Sequence, residues 1–98
     1  MAKYLVLWEA DTSRTPEDPK AKKAQLLGFQ ELIAKQLQEG AIKEFGQFVG
    51  ETCGYAIDEC SAVELHTLNS MWVPFAKFTV REILTIDEII KATKALPE

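Results

Sequence analysis

The sequence predicts an α+β domain, a ferredoxin-like βαββαβ sandwich followed by an extra C-terminal helix. Three observations predict it: a short apolar run near the N-terminus, a long stretch with helical spacing of apolar residues, and two strand-like segments joined by a glycine-bounded turn. A short capped helix and a final alternating strand complete the order. The 98 residues match the size of one domain, so the chain is predicted to be a single unit, residues 1–98.

The first strand and the long helix have clear local signals. The segment Tyr4 to Trp8 is continuously apolar, which predicts a strand buried on both faces. The helix has two possible starts, Thr15 before Pro16 or Asp18 before Pro19. The second start is preferred because it avoids a proline deeper in the first turn.

The long helix is expected to run to about residue 39 and to end at Gly40 in a left-handed cap. Its apolar residues recur at helical spacing and predict a buried stripe formed by Leu26, Phe29, Ile33 and Leu37. Gly28 lies within this stripe, and we expect it to allow close packing on the sheet.

The rest of the chain supplies three strands and two helices. The predicted second strand is 41–49, the turn is 50–54 with a glycine at each end, and the third strand is 55–58. Ser61 and Glu64 form a capping box that opens a short helix. The fourth strand is expected between Pro74 and residue 84. A second capping box at residues 85–88 then opens an amphipathic helix that covers either its own subunit or a partner.

Because side chains alternate between the two faces of a strand, the sequence predicts which of them point away from the helices. In the fourth strand, Lys77, Thr79 and Arg81 should point away from the helices. In the first strand, Leu5 and Leu7 suit the helix side, which leaves Tyr4, Val6 and Trp8 on the open side; the pattern leaves the second strand undecided. Such an open face predicts a two-fold dimer that packs sheet against sheet, with a ligand cleft between each sheet and its partner.

Composition narrows the possible partners. The net charge of −4 and the absence of a basic block argue against nucleic acid, and no segment is apolar for long enough to span a bilayer. The N-terminus leads directly into a strand, so a cytoplasmic protein is expected. Cys53 and Cys60 lack metal-ligand spacing, and no Gly-rich phosphate loop is present, so neither a metal nor a cofactor is expected.

Several segments resemble the dimeric α+β barrel superfamily, and within it muconolactone isomerase-like proteins. They are Leu37-Gln38-Glu39-Gly40, the second strand to Gly50, Tyr55-Ala56-Ile57-Asp58, and Val63-Glu64-Leu65-His66 continuing to Pro74-Phe75 and the last strand. The resemblance implies a homodimer with a cavity between sheet and partner, often assembled into a larger ring. It also implies a cofactor-independent isomerase that shifts a proton within a small unsaturated acid or lactone.

A proton shift next to a carbonyl needs a base and benefits from a cation that holds the substrate carboxylate. The candidate proton carriers are Glu44, which lies mid-strand among apolar neighbours, and His66, the one histidine. The candidate substrate-binding residues are Tyr4, Trp8, Lys77 and Arg81. The second strand carries fewer Trp, His and Arg residues than the isomerases. A non-catalytic small-molecule-binding or assembly protein is therefore the alternative.

Overall fold

A computed structural model describes residues 2–97 as an α+β domain. Its sheet is antiparallel with the order β2-β3-β1-β4, which is compatible with a ferredoxin-like fold. The elements are β1 (Lys3–Ala10), a 3-10 turn (Thr12–Arg14), α1 (Pro19–Glu39), β2 (Glu44–Gln47), β3 (Cys53–Glu59), α2 (Ala62–Ser70), β4 (Ala76–Ile83) and α3 (Ile86–Lys94).

The helix ends follow from local capping, as the sequence predicts. The Asp18 carboxylate accepts a hydrogen bond from the Ala21 backbone N–H at 2.9 Å, which confirms the second of the two possible starts. Gly40 ends α1 with a φ of 81°, in the left-handed region. Both capping boxes form, at the starts of α2 and α3. Each satisfies backbone donors that would otherwise lack a partner.

The strands differ in length from the predictions, most of all around the hairpin. β2 is only four residues long, and before it the Ile42 N–H donates to the Gln36 carbonyl of α1 at 3.3 Å rather than to β3. β3 is longer than expected and includes Gly54, which is buried within the strand rather than placed in the turn. Within the turn, the Gln47 side-chain amide donates to the Glu51 carbonyl at 2.6 Å.

The predicted orientation of β1 is wrong. Val6 is 2% exposed and packs in a core cluster with Leu65 of α2, whereas Leu7 is 38% exposed. Tyr4 packs against the same cluster, and Trp8 shares its face, so the even-numbered residues point toward the helices. Every residue from 4 to 8 is apolar, so alternation gives no signal here, and packing against the helices decides the face. The strand is also not buried on both faces.

The opposite side of the sheet is called the open face below. Side chains directly opposite each other in antiparallel strands share a face, so the pairing of Leu5 with Arg81 and of Leu7 with Thr79 places those residues together. Lys77 joins them, which confirms the predicted orientation of β4. The open face also carries Lys3, Glu9, Glu44, Tyr55, Ile57 and Glu59.

The core is small and lies between the sheet and the first two helices. It consists of five buried residues, Val6, Ile42, Ala56, Cys60 and Leu65, with Ile33 of α1 and Phe45 of β2 packed against them. The predicted buried stripe of the long helix is wrong, because Gln36 is its one buried residue and Leu26 and Leu37 are 40% and 37% exposed. The helix layer therefore does not seal tightly on the sheet.

The last helix stands apart from this core. α3 has no buried residue among those the structure describes, and its apolar side chains Ile86, Ile89 and Ile90 are all exposed. The molecule measures 64 × 25 × 22 Å, with a radius of gyration of 16.6 Å. A compact chain of this length has a radius of about 13 Å. The apolar stripe of α3 is thus left uncovered by its own subunit.

Replacing Gly28 in α1 is expected to stabilise the protein. No atom lies within 4 Å of the position that a Cβ would occupy, contrary to the expectation of close packing there. Gly28→Ala should raise the free energy of unfolding by about 0.5–1 kcal/mol, because alanine loses less backbone entropy in a helix. Urea unfolding followed by circular dichroism measures the change. A loss of stability would show that the glycine has a packing role after all.

Candidate functional site

A cavity of about 190 Å³ lies between the helix side of the sheet and helices α1 and α2. Its walls are largely aromatic and are contributed by the strands, by α1 and by the segment after α2. The aromatic lining residues are Trp8, Phe29, Phe45, Trp72, Phe75 and Phe78. Cavities of about 150 Å³ with apolar walls accommodate a benzene-sized ligand, so this one has room for a single-ring molecule.

The aromatic side chains of the wall pack on one another in two groups. On the sheet, Trp8 and Phe45 are stacked, with ring centroids 5.3 Å apart and planes within 8°. On the helix side, Phe29 meets Trp72 edge to face at 5.5 Å and Phe75 at 5.2 Å. Aromatic pairs in these geometries stabilise beyond the area that they bury. The cavity walls are therefore held in place by contacts among themselves.

Gly54 allows Trp8 to lie across β3. A Cβ at residue 54 would come within 2.7 Å of the Trp8 ring and within 2.8 Å of the Gln47 Cα. The Trp8 indole N–H donates to the Tyr55 carbonyl at 3.3 Å, which fixes the direction of the ring. The close approach of the ring to β3 thus depends on the absence of a side chain at residue 54.

Two polar side chains line the cavity and are buried without a hydrogen-bond partner. Asp58 is 3% exposed and Gln36 is 6% exposed. Asp58 Oδ1 and Gln36 Oε1 are both unpartnered among residues 2–97. Burial raises the pKa of the Asp58 carboxyl above its ordinary value. An orphaned buried acceptor is costly to folding, and each of these two oxygens could accept a hydrogen bond from a polar group that enters the cavity.

The opposite end of the cavity is exposed and carries charge. Arg14 and Asp11 line it, with Arg14 Nε 4.0 Å from Asp11 Oδ2, and the side chain of Arg14 is half exposed. The Ser13 hydroxyl donates to Asp11 at 2.6 Å, and hydrogen bonds from Ser13 lower the pKa of the Asp11 carboxyl. The Gln25 amide donates to the Arg14 carbonyl at 3.3 Å, which ties this turn to α1. The cavity mouth thus offers a guanidinium to an anion.

The residues predicted for the site lie in different places. Trp8 lines the cavity, whereas Tyr4 packs against the core beside it. Glu44, like Lys77 and Arg81, is exposed on the open face, on the other side of the sheet from the cavity. Partial burial and the nearby Glu44 carboxylate raise the pKa of the Tyr55 hydroxyl.

His66 is exposed on α2 and does not line the cavity. The catalytic roles of Glu44 and His66 stay predictions, as do the substrate-binding roles of Tyr4, Trp8, Lys77 and Arg81.

Sequence reasoning missed Asp58, Gln36 and Arg14. A signal existed for Gln36, because it follows Phe29 and Ile33 at helical spacing and is the polar member of that stripe. Asp58 lies two residues after Ala56 and therefore on the same face of β3. A prediction that this face is buried would also have placed the Asp58 carboxyl inside the fold. No local pattern pointed to Arg14.

Comparison of the sequence with protein-family models and with curated proteins finds no match. Among residues 2–97, no group of three or more His, Cys, Asp or Glu side chains is arranged to hold a metal ion. In the same part of the chain, no helix combines the length and apolar character that a membrane crossing requires.

A methyl group at residue 54 should disrupt the cavity wall. Gly54→Ala is expected to lower the free energy of unfolding by about 1–3 kcal/mol, because the added Cβ overlaps the Trp8 ring and the backbone of β2. It should also shift the tryptophan emission spectrum. Gly28→Ala is the matched control, since the same change there meets no neighbouring atom. Unchanged stability and emission in Gly54→Ala would contradict this account of the wall.

The buried carboxyl of Asp58 should make stability fall as the pH rises. Its folded-state pKa is raised above 3.8, so the stability that this one carboxyl contributes is fully present below 3.8 and is lost as the pH rises through the folded pKa. Asp58→Asn should therefore unfold at a temperature several degrees higher than wild type at pH 7, with the difference shrinking toward pH 4. Thermal melts across this range measure it, with the exposed Glu59→Gln as control. A difference independent of pH would contradict the argument.

Proposed function

We propose that this protein is a cofactor-independent isomerase that binds a small unsaturated acid or lactone in the cavity between its sheet and its helices. One observation carries the proposal: the unpartnered, buried Asp58 and Gln36 side chains line a cavity with aromatic walls. A mostly apolar pocket with a few fixed polar groups is typical of a small-molecule site. Burial raises the pKa of the Asp58 carboxyl, so it holds a proton more readily than an exposed carboxyl does, which suits it to proton transfer.

In this proposal each polar group of the cavity has a role. Arg14 at the exposed mouth holds the substrate carboxylate, because a guanidinium binds carboxylates through two hydrogen bonds. The ring then lies among the aromatic side chains, with its carbonyl toward Gln36. The amide of Gln36 offers a donor or an acceptor depending on its rotation.

Asp58 carries the proton in this proposal. Its carboxylate removes a proton from the carbon next to the substrate carbonyl, forming an O–H bond while the electron pair moves into the conjugated system. The same carboxyl then returns the proton to a different carbon of that system, so the double bond shifts and no atom is gained or lost. A donor near the carbonyl oxygen stabilises the charge that develops on it, which is the role proposed for Gln36.

The proposal is tested by proton exchange into a defined probe. A five-membered unsaturated lactone bearing a carboxylate side chain is incubated with the protein in D₂O, and deuterium incorporation is followed by NMR. Wild type should incorporate deuterium, and Asp58→Asn should lower the rate by about 100-fold or more. Arg14→Gln should mainly raise KM, because it weakens binding of the carboxylate.

Glu44→Gln and His66→Ala are the informative comparisons, since both residues lie outside the cavity. Both variants should retain the wild-type rate. Loss of exchange in either of them, with Asp58→Asn unaffected, would transfer the proton-carrier role back to the residue first predicted. Melting curves of all four variants establish that each one folds.

A second candidate is binding without turnover. The stacked Trp8–Phe45 pair favours it, because a flat ring gains contact on this wall without any chemistry. In that case the probe would change the tryptophan fluorescence in a saturable way, but no deuterium would be incorporated into it.

We also propose that the chain forms a homodimer or larger ring through the open face, as in a dimeric α+β barrel. The support is the exposed Leu7, which shares that face with Leu5 and Ile57. The earlier reason for expecting a dimer, an open Trp8, does not apply because that side chain faces the helices.

A further inference from the structure

The buried end of the cavity, where Gln36 and Asp58 lie, presents two acceptor oxygens without a donor. Neither Gln36 Oε1 nor Asp58 Oδ1 accepts a hydrogen bond from any group among residues 2–97. The two side chains are 6% and 3% exposed, so the protein shields both oxygens from bulk water. A buried acceptor that lacks a donor costs stability, and a ligand that supplies the donor removes that cost.

The side-chain amide of Gln36 can donate as well as accept. Its oxygen and its nitrogen lie side by side on one carbon, the oxygen as acceptor and the nitrogen as donor. Rotation of the amide exchanges their positions but leaves one of each. Gln36 therefore fits a ligand that places an N–H directly beside a carbonyl, because both partners then pair through two hydrogen bonds.

We propose that the molecule bound in this cavity is a lactam, a ring with an N–H next to its carbonyl, and that Gln36 selects it over the corresponding lactone. This inference rests on the small unsaturated cyclic acid proposed above and specifies its ring. The ring carbonyl accepts a hydrogen bond from the Gln36 amide nitrogen. The neighbouring ring N–H donates to Gln36 Oε1 and gives that buried oxygen the donor that the protein itself does not supply.

A lactone in the same position leaves Gln36 Oε1 without a donor. The ring atom next to its carbonyl is an oxygen, which only accepts, so two acceptors face each other with no hydrogen between them. The cost of the unpartnered buried oxygen then remains in the complex. A site with a group placed to hydrogen-bond an N–H or O–H discriminates strongly against the analogue that lacks it. One ring atom thus decides between the two ligands.

The other groups of the cavity treat the two rings alike. Both rings are flat and of nearly the same size, so each can lie against the stacked Trp8 and Phe45. Arg14 at the exposed mouth binds the carboxylate of either ligand. The ring N–H is assigned to Gln36 rather than to Asp58, because a hydrogen bond to the Asp58 carboxylate would make it a weaker base.

The affinities of two matched ligands test this selection. The first is the five-membered unsaturated lactone with a carboxylate side chain, and the second is its lactam, in which N–H replaces the ring oxygen and nothing else changes. Isothermal titration calorimetry with the wild-type protein measures both dissociation constants. The dissociation constant of the lactam should be lower than that of the lactone by about 10- to 100-fold.

Gln36→Leu removes the selecting amide and keeps a side chain of similar size. In this variant the two dissociation constants should lie within about threefold of each other, because no acceptor then depends on the ring N–H. Gln38→Leu is the matched control, since it makes the same change two residues further along α1, at an exposed position outside the cavity. It should keep the wild-type preference. Melting curves establish that both variants fold.

Three outcomes would overturn the inference. A lactone that binds wild type as tightly as the lactam would show that the buried end needs no donor. A preference for the lactam that survives Gln36→Leu would place the selecting group elsewhere. Neither result bears on the isomerase, which deuterium exchange at carbon tests separately.

Failure of both ligands to bind would overturn the ring selection and the proposed isomerase together. A lactam that binds tightly and exchanges no deuterium at carbon would instead support the ring selection and contradict the isomerase alone.

Discussion

β1 is hydrogen-bonded to β3 on one side and to β4 on the other, so the direction in which Val6 points is imposed on both neighbours. Val6 points toward the helices and is the most buried residue of the core cluster. Because side chains alternate, this single choice places Trp8 in the cavity wall and Asp58 inside the fold. It also exposes Leu7 on the other side of the sheet.

The cavity reflects a compromise between packing and polarity. Interdigitated side chains normally fill such a space, and a buried carboxyl without a partner opposes folding. Here the wall is held open by rings that contact each other, Trp8 with Phe45 and Phe29 with Trp72. Asp58 is buried beside these rings, and its unpartnered oxygen adds to the cost of folding.

The two faces of the sheet carry different kinds of side chain. The helix side encloses the cavity and its polar groups, while the open face has an apolar centre flanked by charged residues. Glu44 and Arg81, which the sequence suggested for substrate chemistry, lie on the open face, on the other side of the sheet from the cavity. The uncovered stripe of α3 adds further apolar surface to a molecule that is long for its size.

The sequence by itself determined the order of elements and the helix ends. The helix ends were predictable because capping by Asp18, Gly40 and the two capping boxes involves residues within one turn of each other. It also determined the orientation of β4, whose polar and apolar residues alternate. Only the tertiary structure decided the orientation of β1, since an all-apolar strand carries no alternation to read. The cavity could not be predicted from the sequence either. Asp58 and Gln36 lose their contact with water, and so their hydrogen-bond partners, only when β3 and α1 come together in the fold.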